Sequence, residues 1–272
     1  VSLAYCCYGD ISAPPLLLLH GFLGNVADWS ALVSLLENDF YLIAVDLPGH
    51  GASSWQELDN QGGQSFGHRL EQTLQAVAHH NRVDLSRISM LGYSLGGRLA
   101  MACATAFAHR IERLFLEGAH PGLVGEQARR ERYHSDWHWA KRFAGEPLAR
   151  VLHDWYRQPV FADLSEQQVQ LLIAQRANGS GQQLAEAMMA FSLSKQPDYR
   201  RALWQLKTEA QVPIHYIHGA NDHKFAQLGQ QLLSEQVISS VYSISQCGHN
   251  VHRQQPEAMA QLLRVLSGVR DE

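Results

Sequence analysis

What the chain lacks narrows its class before any motif is read. Only four cysteines occur in 272 residues, with Cys6 and Cys7 adjacent and Cys103 and Cys247 far apart. Neither a disulfide framework nor zinc-ligand spacing emerges, so a reducing cytoplasm is the simplest setting. Long apolar runs are missing as well. The stretch P-P-L-L-L-L at 14–19 is far too short to span a bilayer, and no basic flank precedes an apolar core at the N-terminus. These features predict a soluble, unexported protein with no membrane partner. There is no surplus of positive charge either. A net charge of −4, with no Lys/Arg cluster interleaved with aromatics, argues against DNA or RNA as a partner. Internal repeats, low-complexity tracts and a Gly-rich phosphate loop are also absent.

What remains is an ordinary globular composition, 46% apolar with nine prolines, long enough for one large α/β domain or a core carrying an insertion. Strand-like apolar runs fall at 15–20, 41–45, 88–92 and 113–117, and they return at 213–218 and 237–244. Residues 95–107 have the small and apolar character of a buried helix, and 257–266 read as a closing amphipathic helix. From about 120 to 203 no strand run survives, and Arg, Gln, Glu, Trp and Ala dominate, broken at Pro147, Pro159, N-G-S-G at 178–181 and Pro197. The pattern predicts an α/β fold: a mostly parallel sheet with helices on both faces and a helical cap inserted in the second half. The core then comprises 1–119 and 204–272, and the cap 120–203.

Gly92-Tyr93-Ser94-Leu95-Gly96 fits G-x-S-x-G between a predicted strand and a predicted helix. In that pattern a sharp turn lifts the serine out of the sheet and glycines relieve the crowding beside it. A serine hydroxyl needs a base, and Gly248-His249-Asn250 supplies one after the last strand-like run. Asp222, in G-A-N-D-H-K-F, follows the strand at 213–218 and provides the orienting carboxylate, with Glu117 as the rival at another strand end. The chain order Ser94, Asp222, His249 is the one this architecture requires. His20-Gly21-Phe22 ends the first strong strand, where the backbone N–H of Phe22 can join that of Leu95 in holding an oxyanion.

Taken together, H-G-F-L-G, D-L-P-G-H-G, G-Y-S-L-G-G and C-G-H-N resemble the α/β-hydrolase superfamily across essentially the whole chain. That superfamily includes esterases, dehalogenases, C–C hydrolases, lyases and non-catalytic receptors, so the fold alone does not name a reaction. Arg98, four residues after Ser94, sits one turn into the next helix, where its side chain can turn back toward the pocket. A guanidinium there suits a substrate carboxylate. The segments G-A-H-P-G-L at 118–123, R-R-E-R at 129–132, W-Y-R-Q-P-V-F at 155–161 and Q-R-A-N-G at 175–179 are similar to one branch of the superfamily, the 2-succinyl-6-hydroxy-2,4-cyclohexadiene-1-carboxylate synthases of menaquinone biosynthesis.

That resemblance implies that Arg98, Arg132 and Arg176 bind substrate carboxylates, and that Tyr93, Trp155 and Tyr156 shape the pocket. Lys224 is a weaker candidate beside Asp222. The implied partner is a small polycarboxylate, 2-succinyl-5-enolpyruvyl-6-hydroxy-3-cyclohexene-1-carboxylate, from which pyruvate is eliminated. Ser94 would act as general base, activated by His249 and Asp222, with the enolate oxygen held by Phe22 and Leu95 N–H. No metal and no cofactor is expected, because proton abstraction needs none when the oxyanion hole is preorganised. The competing expectations are a carboxylesterase or C–C hydrolase in which Ser94 attacks carbon, and a binding protein that captures an anion without turnover.

Overall fold

The apolar runs become the middle of a seven-stranded sheet, ordered β1-β3-β2-β4-β5-β6-β7. The strands are β1 (Tyr5–Tyr8), β2 (Pro15–Leu19), β3 (Tyr41–Val45), β4 (Ile88–Tyr93), β5 (Ile111–Glu117), β6 (Ile214–Gly219) and β7 (Ser240–Ile244). Among the described residues, only β1 runs antiparallel to its neighbour. The helices are α1 (Ser30–Leu36), α2 (Gly63–Asn81), α3 (Leu95–Ala106), α4 (Glu126–Gly145), α5 (Leu148–Trp155), α6 (Glu166–Arg176), α7 (Gly181–Ala190), α8 (Arg200–Thr208), α9 (His223–Ser234), α10 (Val251–Gln254) and α11 (Pro256–Ser267). This computed structural model describes residues 2–269. Val1 and residues 270–272, the outer ends of the core segments read from the sequence, lie outside the described residues.

The run P-L-L-L-L shows why parallel strands read as continuous apolar stretches. Leu17 and Leu19 point into a core shared with Phe66 of α2, Leu99 of α3, Leu203 of α8 and Leu232 of α9. Leu16 and Leu18 point the other way, toward Trp29, Leu32 of α1 and Met259 of α11. Because helices cover both faces, the period-2 alternation of a strand carries side chains into two cores, and neither face reaches water. Among the described residues, no helix is long and apolar enough to cross a membrane.

Helices α4 to α7 lie between β5 and β6 in the chain and have a cluster of their own, in which Phe143, Val151, Leu152 and Met188 close over Leu23 of the loop after β2. The Ser165 hydroxyl and the Gln168 side chain start α6 with a reciprocal capping box. The cap boundary drawn at 203/204 falls inside α8. Since Leu203 and Leu206 both pack into the sheet's core, we place the division before Arg200.

Two strands differ from the sequence reading. β7 begins at Ser240 instead of 237: Val237 and Ile238 are buried, but in a turn where Ser239 N–H donates to Ile214 O and Ile214 N–H donates to the Ser239 hydroxyl. β1 carries no apolar contrast, since all four of its residues are half-buried, and it forms through its pairing with β3, Tyr5 opposite Val45.

Candidate active site

Ser94 occupies the single residue between β4 and α3, at φ 50° and ψ −107°, a region that a residue with a β-carbon rarely adopts. Its neighbours make this turn possible. A β-carbon at Gly96 would lie 2.0 Å from Leu19 O, and one at Gly92 would lie 2.5 Å from Gly97 Cα. The Ser94 N–H donates to Glu117 O at 2.8 Å, tying the turn to the end of the next strand.

His249 follows β7, and its Nδ1 meets Asp222 Oδ2 at 2.7 Å. Asp222 is itself fixed, because its other oxygen caps α9 by accepting the Phe225 N–H at 3.2 Å. Both side chains are buried, and the imidazole packs against Tyr93 and Phe225, with ring centroids 5.2 and 4.7 Å away. With Nδ1 committed to the carboxylate, Nε2 is the nitrogen left for chemistry. The loop after Glu117 adjoins both segments: a β-carbon at Gly118, φ +53°, would lie 2.7 Å from His249 Cε1, one residue beyond the carbonyl that holds the Ser94 N–H. Among the described residues no hydrogen bond closes from the Ser94 hydroxyl to His249, and such contacts commonly tighten only around substrate.

The N–H groups of Phe22 and Leu95, expected from the sequence to hold an oxyanion, are set by backbone and by His20, to which the sequence reading had assigned no role. Leu95 N–H is the first of α3, at the positive end of the helix dipole. Gly21 O is held by His20 Nδ1 at 2.7 Å and by Gly24 N–H at 3.0 Å. Leu47 N–H donates to His20 Nε2 at 3.0 Å, so the ring proton sits on Nδ1 and is given to Gly21 O. Burial pushes the His20 pKa down to about 4, keeping the ring neutral. Fixing that carbonyl fixes the planar Gly21–Phe22 peptide and with it the direction of the Phe22 N–H. The Phe22 ring packs on Trp155 and Phe143, joining the first loop to the α4 and α5 helices.

The arginines divide into two groups. Arg176 is buried, and its Nε donates to Leu23 O at 2.7 Å while a terminal nitrogen pairs with Asp28 at 2.8 Å. Its other terminal nitrogen is buried without a partner among the described residues. It lies beside the buried Tyr156, 5.9 Å from the ring. Arg98 and Arg132 lie near one another. Burial, and then the charge of Arg132, lower the Arg98 pKa. Arg132 pairs with Asp136 at 2.8 Å and stays partly open to solvent. The Arg98 guanidinium donates to Gln196 Oε1 at 3.0 Å and lines a cavity of about 590 Å³ between the start of α2 and residues 190–199, whose walls contain neither Ser94 nor His249. Lys224 stands over the Phe225 ring at 5.4 Å, its pKa lowered by burial and by Arg132.

For a metal, His134 and His138 on α4 have ligand-like spacing, but both are exposed. No group of three or more His, Cys, Asp or Glu side chains suited to holding an ion is gathered among the described residues.

A serine on a strand-to-helix turn, a histidine–aspartate pair from later strand ends, and a parallel sheet interrupted by helices define the α/β-hydrolase class. Residues 14–256 match the model of the α/β-hydrolase fold family, and the chain belongs to that family. Within it, the chain is 40% identical over 261 residues to the 2-succinyl-6-hydroxy-2,4-cyclohexadiene-1-carboxylate synthase of Salmonella agona, covering 94% of this chain and 96% of the relative. The Salmonella typhimurium synthase is 39% identical over the same shares. Among solved structures, MenH from S. aureus superposes with a TM-score of 0.85 at 24% identity, over 98% of this chain and 99% of that one. A carboxylesterase structure from Nitrososphaera gargenis superposes at 0.78 with 17% identity, over 98% and 94%, a likeness of fold alone.

Proposed function

We propose that the chain is a carbon–oxygen lyase that eliminates pyruvate from 2-succinyl-5-enolpyruvyl-6-hydroxy-3-cyclohexene-1-carboxylate, giving 2-succinyl-6-hydroxy-2,4-cyclohexadiene-1-carboxylate for menaquinone biosynthesis. The observation that carries this reading is the match along 94% of the chain to relatives named for that product.

Ser94, made basic by His249, removes the ring proton adjacent to the succinyl ketone. Asp222 holds His249 in the tautomer that leaves Nε2 free and stabilises the imidazolium that forms. The ketone oxygen gains charge against the Phe22 and Leu95 N–H groups. The electron pair then moves through the ring and expels the enolpyruvyl oxygen, which leaves as pyruvate, so no water is consumed. Arg176, with one buried nitrogen unpaired, and Arg132, partly open to solvent, are the guanidinium groups best placed to meet carboxylates. Arg98 joins them once a substrate acid replaces Gln196 as its acceptor. Tyr93, Trp155 and Tyr156 supply apolar walls.

Deuterium at the abstracted ring position tests the proton-transfer step. The reading predicts a slower kcat/KM with the deuterated substrate in wild type and loss of turnover in Ser94→Ala. An unchanged rate, with a burst of acyl-enzyme from an activated ester, would instead favour a hydrolase in which Ser94 attacks carbon.

A further inference from the structure

Directly behind the His249–Asp222 pair lies a second acid–histidine pair that the mechanism above does not use. Glu117 Oε2 meets His252 Nδ1 at 2.7 Å, and Glu117 Oε1 accepts the His252 backbone N–H at 3.1 Å. Glu117 is 0% exposed and His252 1%. The His252 ring stacks on Trp29, centroids 4.0 Å apart and 30° between planes, and meets Tyr93 edge-on at 5.0 Å. His252 Nε2 is buried with no partner among the described residues, so the Nδ1–H is the donor that meets the carboxylate.

The importance of the pair lies in what Glu117 connects. Its main-chain oxygen accepts the Ser94 N–H, and its side chain grips the backbone and ring of a residue three positions beyond His249. One residue therefore ties the turn that carries the hydroxyl to the turn that carries the base. Tyr93, packed on both histidines, fills the space between them. Because no hydrogen bond closes directly between Ser94 and His249, their separation is set by the backbone segments that bear them. A buried acid–base pair is weak evidence for stability, since desolvation offsets much of its attraction. Proton transfer, by contrast, depends steeply on distance, and a misplacement of about 1 Å costs about 10²-fold in rate.

We propose that Glu117 and His252 are positioning residues that set the Ser94–His249 spacing for proton abstraction. This rests on the reading of Ser94 and His249 given above. The pair carries no proton to or from substrate; it acts through the two turns.

Three variants separate positioning from simple packing. His252→Asn keeps a donor where Nδ1 stands but loses the stack on Trp29. His252→Phe keeps a ring on Trp29 but loses the donor. Glu117→Gln keeps the shape but offers one acceptor to two donors, so it cannot receive the His252 backbone N–H and the Nδ1–H together. Two readouts are taken with each thermal midpoint: kcat and KM for pyruvate release, and the rate at which a fluorophosphonate probe labels Ser94. The expected result is a fall of about 10²-fold in kcat and a parallel fall in labelling for His252→Phe and Glu117→Gln, with KM near wild type. His252→Asn should retain most of both rates despite a lower midpoint. Wild-type rates in Glu117→Gln, or losses that simply track the midpoints across the variants, would overturn the proposal. If wild type labels rapidly yet releases no pyruvate, the substrate reading fails instead, and the labelling rates still decide the role of the pair.

Discussion

At the residue scale, two carboxylates at strand ends competed for the histidine, and geometry separates them. Asp222 meets His249, and Glu117 meets His252. Asp222→Asn should therefore cost about 10³–10⁴-fold in kcat while leaving the fold intact, since the amide holds the wrong tautomer. Equal activity in the variant, measured by pyruvate release, would remove Asp222 from the mechanism. The tight turn at Ser94 and the pairing of Asp222 with His249 were legible because these residues carry local signatures: glycine neighbours, a position after an apolar run, and an order along the chain. Glu117's partner was not readable, because it lies 135 residues away and nothing near either residue marks the pairing. The same holds for His20, whose role depends on accepting a hydrogen bond from Leu47, 27 residues distant.

At the scale of elements, the turn between β4 and α3 depends on close backbone approach. Gly96→Ala would place a β-carbon against Leu19 O, a backbone atom that cannot swing aside, and should destabilise the protein by about 3 kcal/mol or more. A urea midpoint unchanged from wild type would contradict the tight turn. The buried middle strands were legible from their apolar runs, whereas β1 was not, because its half-buried residues become a strand only when β3 pairs with them. The start of β7 was misjudged for the converse reason: Val237 and Ile238 are apolar and buried but belong to a turn. Helix α4 presents Arg132 beside Arg98, whereas Arg130 is exposed and pairs with Glu126 one turn away. Arg132→Ala should raise KM for the enolpyruvyl substrate about tenfold or more, in keeping with a lost charge-assisted hydrogen bond. Arg130→Ala should be near neutral. Equal effects of the two on KM would reject the anion-binding role of that face.

At the scale of the whole molecule, the loops that follow β2 and β3 bury histidines that stay uncharged. Burial lowers the His20 pKa to about 4 and that of His50 to about 3, from an ordinary value of 6.5. The unfolded chain therefore binds more protons than the folded one below pH 6.5. Stability from these groups is fully present above that pH and is lost as pH falls through about 4 for His20 and about 3 for His50, with a slope approaching about 1.4 kcal/mol per pH unit for each. Urea midpoints should drop between pH 7 and pH 5, and a flat profile would contradict the burial of neutral rings. The fold places loops from β2, β4, β5, β6 and β7 at one edge of the sheet, under helices that carry Arg132 and Arg176. An elimination at that edge releases two products from one substrate. The most direct test follows pyruvate and diene absorbance together after mixing protein with 2-succinyl-5-enolpyruvyl-6-hydroxy-3-cyclohexene-1-carboxylate, with Ser94→Ala as control. The account predicts rapid, equimolar formation of both in wild type and only the spontaneous rate in the variant. Equal rates in the two proteins would contradict it.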